Sequence, residues 1–199
     1  MDFDKLVIIL LASLVSYIFG ALPFAQTLST RKGVDIFSTG TGLAGASNVF
    51  KNVGRGSALL VLVFDVAKGS LAVIVSAIMG VEGLFLFIPA FVAVFGHWNS
   101  VFTRFKGGDG MAIGAGIAIG IFGLIAVLAF IVAALVGLIA QRLPFSSLFS
   151  IIAGYGTLYG FASANSDQKE MAIGFGAVAL LILIHAVLGH RKRNRVVES

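Results

Sequence analysis

Apolar runs at 6–28, 57–79, 83–102, 111–140, 148–161 and 171–188 dominate the chain, and polar residues gather in the short stretches between them. Runs of this length predict membrane-crossing helices. The fourth run does not fit one ordinary crossing. As a single helix it would be about 45 Å long at about 1.5 Å per residue, against a hydrocarbon core of about 30 Å. Steep tilt is one answer, and a short helix turning back near Gly120 or Gly123 is the other.

Charge placement chooses between them. With two passes in the fourth run, Arg31, Lys32, Lys51, Arg55, Arg104, Lys106, Arg142 and the tail residues Arg191, Lys192, Arg193 and Arg195 all fall on one face. The other face keeps Lys5 and Lys169, so eleven basic residues oppose two, with Lys68 inside a span as the fourteenth. Such asymmetry marks the cytoplasmic side, and one pass would abolish it. The expectation is an all-α polytopic membrane protein: a compact bundle of seven transmembrane helices, the fourth short, with glycine-rich cytoplasmic loops. The amino terminus is expected outside and the carboxyl terminus in the cytoplasm. No internal repeat is visible and the loops are small, so 1–199 reads as a single integral-membrane domain.

Composition agrees: 58% of the 199 residues are hydrophobic, 12% are charged, and the mean hydropathy is +1.04. Twenty-five glycines suit close helix packing in lipid, and eighteen phenylalanines against one tryptophan favour acyl-chain contact over an interfacial belt. Without cysteine the chain has no disulfide, thiol nucleophile or thiolate metal site. The run 6–28 follows Asp2 and Asp4 and is too long for a signal core, so it reads as a span. A net charge of +5 is compatible with nucleic-acid binding, but its placement points to membrane topology instead.

The turn at 104–110, Arg-Phe-Lys-Gly-Gly-Asp-Gly, sets Gly107, Gly108 and Gly110 beside Arg104 and Lys106. Glycine-freed amides next to cations make a nest for an anionic oxygen at the membrane surface. The first cytoplasmic loop, 31–56, holds Gly40, Gly42 and Gly45 among Thr39, Thr41, Ser47 and Asn48, followed by Lys51 and Arg55. An anion pocket fits these parts, and so does a flexible linker.

Asp65 and Lys68 form an (i, i+3) pair inside the second span. Charges in a span face a partner or a polar cavity, so Lys68 either fixes packing with Asp65 or reaches a phosphate. His97 lies near the glycine turn, as a base or as a packing residue. His185 sits in the last span without a partner evident in sequence. The basic tail opening at His190 sets topology and binds anionic headgroups, with a polyanion site as the alternative. Ser146 and Ser147, near Arg142, are capping candidates that could also contact a ligand. No His followed four residues later by Asp occurs, neither glycine loop has the GxxxxGK[ST] order, and no metal-ligand cluster is visible.

The order of motifs resembles the bacterial membrane acyl-phosphate:glycerol-3-phosphate acyltransferases, the PlsY family, over nearly the whole chain. Gly-Thr-Gly-Leu-Ala-Gly-Ala-Ser-Asn at 40–48 stands where the family has GSGNxGATN. Asp-Val-Ala-Lys-Gly at 65–69 matches DxxKG, Gly96 and His97 match in order, and Phe-Lys-Gly-Gly-Asp-Gly-Met-Ala at 105–112 stands for FKGGKGVAT. The resemblance implies a seven-helix enzyme of the bacterial inner (cell) membrane with a cytoplasmic site. It implies transfer of a fatty acyl group from acyl phosphate to the 1-hydroxyl of glycerol 3-phosphate, forming lysophosphatidic acid for phospholipid biosynthesis. Neither acyl-CoA nor a metal cofactor is implied, and the partners are the two substrates and membrane lipid.

By resemblance, Lys106, His97 and His190 are the catalytic candidates. Lys106, Gly107 and Gly108 cradle the acyl-phosphate head with Asp109 at a substrate-contacting position beside them, and Ser47, Asn48 and Lys51 hold glycerol 3-phosphate. Lys68 and either Ser146 or Ser147 complete the binding set. The chain departs from the family at polar positions: Lys51 replaces an arginine, Leu43 the asparagine of GSGN, and Asp109 the second lysine of KGGKG, while HREN becomes His-Arg-Lys-Arg at 190–193. An unpaired carboxylate at Asp109 would repel phosphate, and pairing with Arg104 or a tail arginine would remove that repulsion. These departures keep open a catalytically impaired paralogue that binds a lipid phosphate or a partner. A small transporter is the third class.

Overall fold

A computed structural model of the protein describes residues 2–143 and 146–197, and the side chains of Ser147 and of 187–197 lie outside that description. The expectations for Ser147, His190 and the basic tail therefore fall outside the described side chains. Among the described residues there are nine α-helices: α1 (Phe3–Ala21), α2 (Phe24–Thr30), α3 (Ala46–Asn52), α4 (Arg55–Ile78), α5 (Phe87–Trp98), α6 (Met111–Phe122), α7 (Leu124–Ile139), α8 (Ser146–Ala162) and α9 (Ser166–Val197).

Two of the apolar runs are broken, each for a local reason. Pro23 has no amide hydrogen and its ring obstructs the preceding turn, so the first run ends as α1 at Ala21 and resumes as α2 at Phe24. The fourth run splits at Gly123, whose φ of +59° ends α6 and starts α7. The break expected near Gly120 or Gly123 is thus at Gly123, and the single long helix is excluded.

Among the described residues, four helical segments are long and apolar enough to cross a membrane: Phe3–Thr30, Arg55–Ile78, Leu124–Arg142 and Ser166–Ala186. Three more apolar segments are shorter, Gly83–Trp98, Met111–Phe122 and Leu148–Ala162. The expectation of one short helix is corrected here. The helix Met111–Phe122 is short as expected, but among the described residues Gly83–Trp98, which opens on a 3-10 turn over Gly83–Leu86, and Leu148–Ala162 are short as well.

The packing is inverted relative to a water-soluble bundle. Leu10, Leu14, Ile18, Leu59, Val63 and Phe64 face outward, while Ala12, Ser16, Ala72, Ala90 and Ala93 are buried. Lipid supplies no hydrophobic drive between helices, so close backbone approach through small residues has to provide the contact energy. Gly116 of α6 lies against the Val66 carbonyl of α4, Gly69 of α4 lies against the Ile113 carbonyl, and Ser70 Oγ donates to the Gly116 carbonyl at 2.8 Å. Gly20 of α1 meets the Ala93 backbone of α5 in the same way, and Gly137 and Gly154 bring α7 and α8 together. α4 and α6 thus hold the two polar turns in fixed relation.

Gly116→Leu is expected to destabilise the bundle by at least about 2 kcal/mol, because a side chain there collides with backbone that cannot move away. Thermal unfolding in detergent checks it, with Gly160→Leu as the control, since nothing lies within 4 Å of a Cβ at Gly160.

Candidate functional site

The site is built around a buried ion pair. One turn of α4 places Lys68 Nζ 2.8 Å from Asp65 Oδ1, with side-chain exposures of 6% and 3%. Charges this deep are tolerated only when their remaining bonding capacity is met. The helix break at Pro23 supplies a carbonyl: Lys68 Nζ also donates to Leu22 O at 3.4 Å. On the other side His97 Nδ1 stands 3.9 Å from Asp65 Oδ1. The pair therefore fixes packing, and Lys68 also lines a small cavity of about 20 Å³ with His97, Ser100, Lys106, Gly107 and Gly108.

The same segment of α5 holds the glycine turn. Gly108 N donates to the His97 carbonyl at 3.2 Å, and Gly108 lies directly against His97 Nε2, where any side chain would collide. Ser100 pairs with Lys106 as an antiparallel bridge and donates through Oγ to the Ala21 carbonyl at 2.5 Å. The Thr103 hydroxyl donates to the Lys106 carbonyl. Arg104 and Phe105 both take left-handed backbone, with φ of +55° and +62°. Consecutive non-glycine residues in that region are strained, and such strain persists only where the surroundings enforce it. Lys106 emerges exposed, its Nζ 5.7 Å from the centre of the Phe37 ring, within cation–π range. Among the described residues, the amides of Gly107, Asp109 and Gly110 have no protein acceptor, leaving three backbone donors beside a lysine.

Asp109 has a structural partner. Its Oδ1 accepts from the Met111 amide at 3.1 Å, capping the first turn of α6, where the helix dipole favours negative charge. Of the two pairings expected, the one with Arg104 is not formed, since among the described residues Asp109 makes no ion pair, and the one with a tail arginine falls outside the described side chains. A backbone amide two residues on reaches the carboxylate without any rearrangement of the loop. The Asp109 carbonyl accepts from Trp98 Nε1 at 3.1 Å, and the Trp98 indole stacks on His185 with ring centres 4.1 Å apart and planes at 15°. His185 thus ties α9 to the turn through Trp98.

The first loop is not a flexible linker. Asn48 is buried at the start of α3, where Nδ2 donates to the carbonyls of Ile36, Thr39 and Leu43 and Oδ1 accepts from the Thr41 amide and Asn52 Nδ2. Its capacity is used within the loop, so Asn48 shapes this segment from inside. Ser47 and Lys51, its neighbours on α3, stay exposed. Ala44 N donates to the Gly107 carbonyl at 3.0 Å and clasps the first loop onto the glycine turn.

Next to this polar cluster opens a cavity of about 330 Å³ between α6, α7, α8 and α9. Ser47, Asp65 and Asp109 line one end, and the rest is apolar, with Ala115, Ala118, Ala129, Ala133 and Gly154 leaving room between the helices. A site of this size with a few convergent polar groups is the form small-molecule sites take, here for an amphiphile. Among the described residues no group of three or more His, Asp or Glu could hold a metal ion.

The structure therefore brings together Ser47, Lys68, His97, Lys106, Gly107, Gly108 and Asp109. Lys51 lies on the exposed face of α3. Ser146 contributes its carbonyl to Ser150 Oγ at 3.1 Å, and it is Ser150 that lines the large cavity. Ser100 and Trp98 carry weak signals in sequence, since each acts on a backbone or ring far away along the chain.

Fold and site together define an integral-membrane protein whose cationic glycine turn adjoins an apolar chamber, with Asp109 of that turn in the chamber's lining. The family described as "Glycerol-3-phosphate acyltransferase" matches residues 10–197. The glycerol-3-phosphate acyltransferase of Geotalea daltonii is 33% identical over 184 residues, covering 92% of this chain and 91% of that protein. Glycerol-3-phosphate acyltransferase 1 of Deinococcus radiodurans is 44% identical over 108 residues, so the match spans about half of each chain, 54% in both cases. Two crystal structures of PlsY, an integral membrane glycerol 3-phosphate acyltransferase, superpose with TM-scores of 0.74 for the glycerol 3-phosphate form and 0.72 for the lysophosphatidic acid form. Each shares 26% identity and covers 96% of this chain and 92% of the solved one. The chain belongs to the glycerol-3-phosphate acyltransferase family.

Asp109→Ala removes the carboxylate that caps α6 and is expected to cost about 1 kcal/mol of stability. Unfolding of the purified variant in detergent measures this, and Asp109→Asn, which keeps an accepting oxygen, is expected to recover most of the loss.

Proposed function

We propose that this protein transfers a fatty acyl group from acyl phosphate to the 1-hydroxyl of glycerol 3-phosphate, releasing lysophosphatidic acid and inorganic phosphate. The observation that carries this reading is the meeting of opposite environments: Lys106, Gly107 and Gly108 line a small cavity that shares Asp65 with the apolar chamber, and Asp109 of the same turn lines the chamber itself. An acyl phosphate has that shape, a dianionic head on a hydrocarbon chain.

In the reaction the acceptor hydroxyl oxygen forms a bond to the acyl carbon, the bond from that carbon to the phosphate oxygen breaks, and phosphate leaves with the electron pair. The hydroxyl proton is released to phosphate or water. The turn at Lys106, Gly107, Asp109 and Gly110 holds the departing phosphate, whose growing charge is what fixed amides and a lysine stabilise. His97 supports the turn through Gly108, and Lys68 adds positive potential from beneath it. Ser47 and Lys51 hold the acceptor's phosphate, presented by the loop that Asn48 orders. Because the donor is an activated anhydride, orientation of the two substrates supplies much of the remaining acceleration. The seven apolar segments are read as seven crossings of a bacterial cell membrane in one domain. The basic loops and the site face the cytoplasm and the amino terminus faces outward.

A catalytically impaired relative is the second reading, motivated by Asp109. The capping role of its carboxylate favours the active reading, because the charge is directed into the helix start.

Purified protein given palmitoyl phosphate and glycerol 3-phosphate is expected to release phosphate and form lysophosphatidic acid, with Lys106→Ala lowering kcat/KM by about 100-fold. Folded protein without turnover on any acyl phosphate would sink the assignment. In the same assay Asp109→Lys is expected to unfold at lower temperature and to gain no activity. A tenfold gain would instead mark the aspartate as a defect.

A further inference from the structure

The side chains that line the chamber are readable helix by helix. The lining face of α6 runs Met111, Ala115, Ala118 in steps of four and three. The next residue on that face is Phe122, which is buried. On α9 the lining face runs Ile182, Ala179, Phe175. Both faces change from small side chains to phenylalanine at the end remote from Ser47 and Asp109. There the two rings meet edge to face, with centres 6.2 Å apart and planes at 74°. Buried Leu158 and Ala126 belong to the same core and close the remaining sides.

We propose that Phe122 and Phe175 form the floor that sets the length of acyl chain the protein accepts. The inference rests on the acyltransferase reading above and deepens it. The occupant is the straight hydrocarbon of the donor, because the chamber has Ser47 and Asp109 at one end and is apolar toward its floor, where the Tyr155 hydroxyl is already committed to the Ala172 carbonyl at 3.1 Å. From Met111 to Phe122 the helix rises about 16 Å at about 1.5 Å per residue. An extended chain advances about 1.25 Å per carbon, from a C–C bond of about 1.5 Å, so roughly 13 carbons lie between mouth and floor. Longer chains must bend or displace an aromatic ring in a packed core, and shorter ones leave the floor uncontacted.

The test compares kcat/KM for octanoyl, myristoyl and stearoyl phosphate in the wild type, in Phe175→Ala and in Ala118→Phe, using ratios within each protein so that losses of folded enzyme cancel. Phe175→Ala lowers the floor and is expected to raise the stearoyl-to-octanoyl ratio by about tenfold. Ala118→Phe raises the floor by one helical turn and is expected to lower the myristoyl-to-octanoyl ratio by about tenfold or more. Wild-type protein that turns over no acyl phosphate would overturn the acyltransferase reading itself. Turnover with the same chain-length ratios in all three proteins would overturn the floor alone.

Discussion

The ion pair between Asp65 and Lys68 is the constraint on which the rest of the site depends. Two charges within a span are costly, and every neighbour of this pair is arranged to offset that cost. The Pro23 break gives Lys68 a carbonyl, and His97 packs on Asp65 from the other side. His97 in turn carries the glycine turn on its carbonyl and against its ring, so the position of the turn is inherited from α4. Close packing of α4 on α6 then fixes the first residue after the turn. A loop that would otherwise wander at the membrane surface becomes a rigid presentation of amides.

Rigidity matters because the chemistry asks for little else. In the proposed reaction the acyl phosphate already carries a good leaving group, so the protein's contribution would be to hold two phosphates and one hydrocarbon chain in register. The division of labour follows the physical character of each part. Backbone amides and Lys106 suit the phosphate, the exposed side chains of α3 suit a second anion, and the alanine- and glycine-lined chamber suits the chain. Asp109, which reverses the charge found in the family's motif, does not empty the site of positive character, because its carboxylate is committed to the start of α6. Strain at Arg104 and Phe105 is consistent with a turn held in place by its surroundings.

The helical, membrane-embedded architecture was legible from apolar run length, and the break at Gly123 was legible from a run too long for one crossing. Motif order marked Lys68, His97, Lys106 and the glycines correctly as neighbours, since the family resemblance encodes their assembly. The shortness of α5 was not legible, because its apolar run continues through residues that lie in turns, whereas the run at 148–161 was already short in the sequence. Nor was the role of Asn48, whose side chain serves the loop interior: a polar residue in a polar loop looks the same whether it faces a ligand or its own backbone. The stack of Trp98 on His185 joins residues far apart in sequence and leaves no local pattern. The chamber was hidden for a related reason, since alanines at helical spacing signal close packing and an open groove alike.

The most direct measurement is a structure of the protein with a palmitoyl phosphonate, in which a carbon–phosphorus bond replaces the labile linkage. The phosphonate oxygens are expected within hydrogen-bond distance of the Gly107, Asp109 and Gly110 amides and Lys106, with the chain running between α6 and α9 toward Phe122 and Phe175. A phosphonate bound elsewhere, or a chain lying on the outer lipid-facing surface of α4 or α7 with the chamber unfilled, would contradict the account.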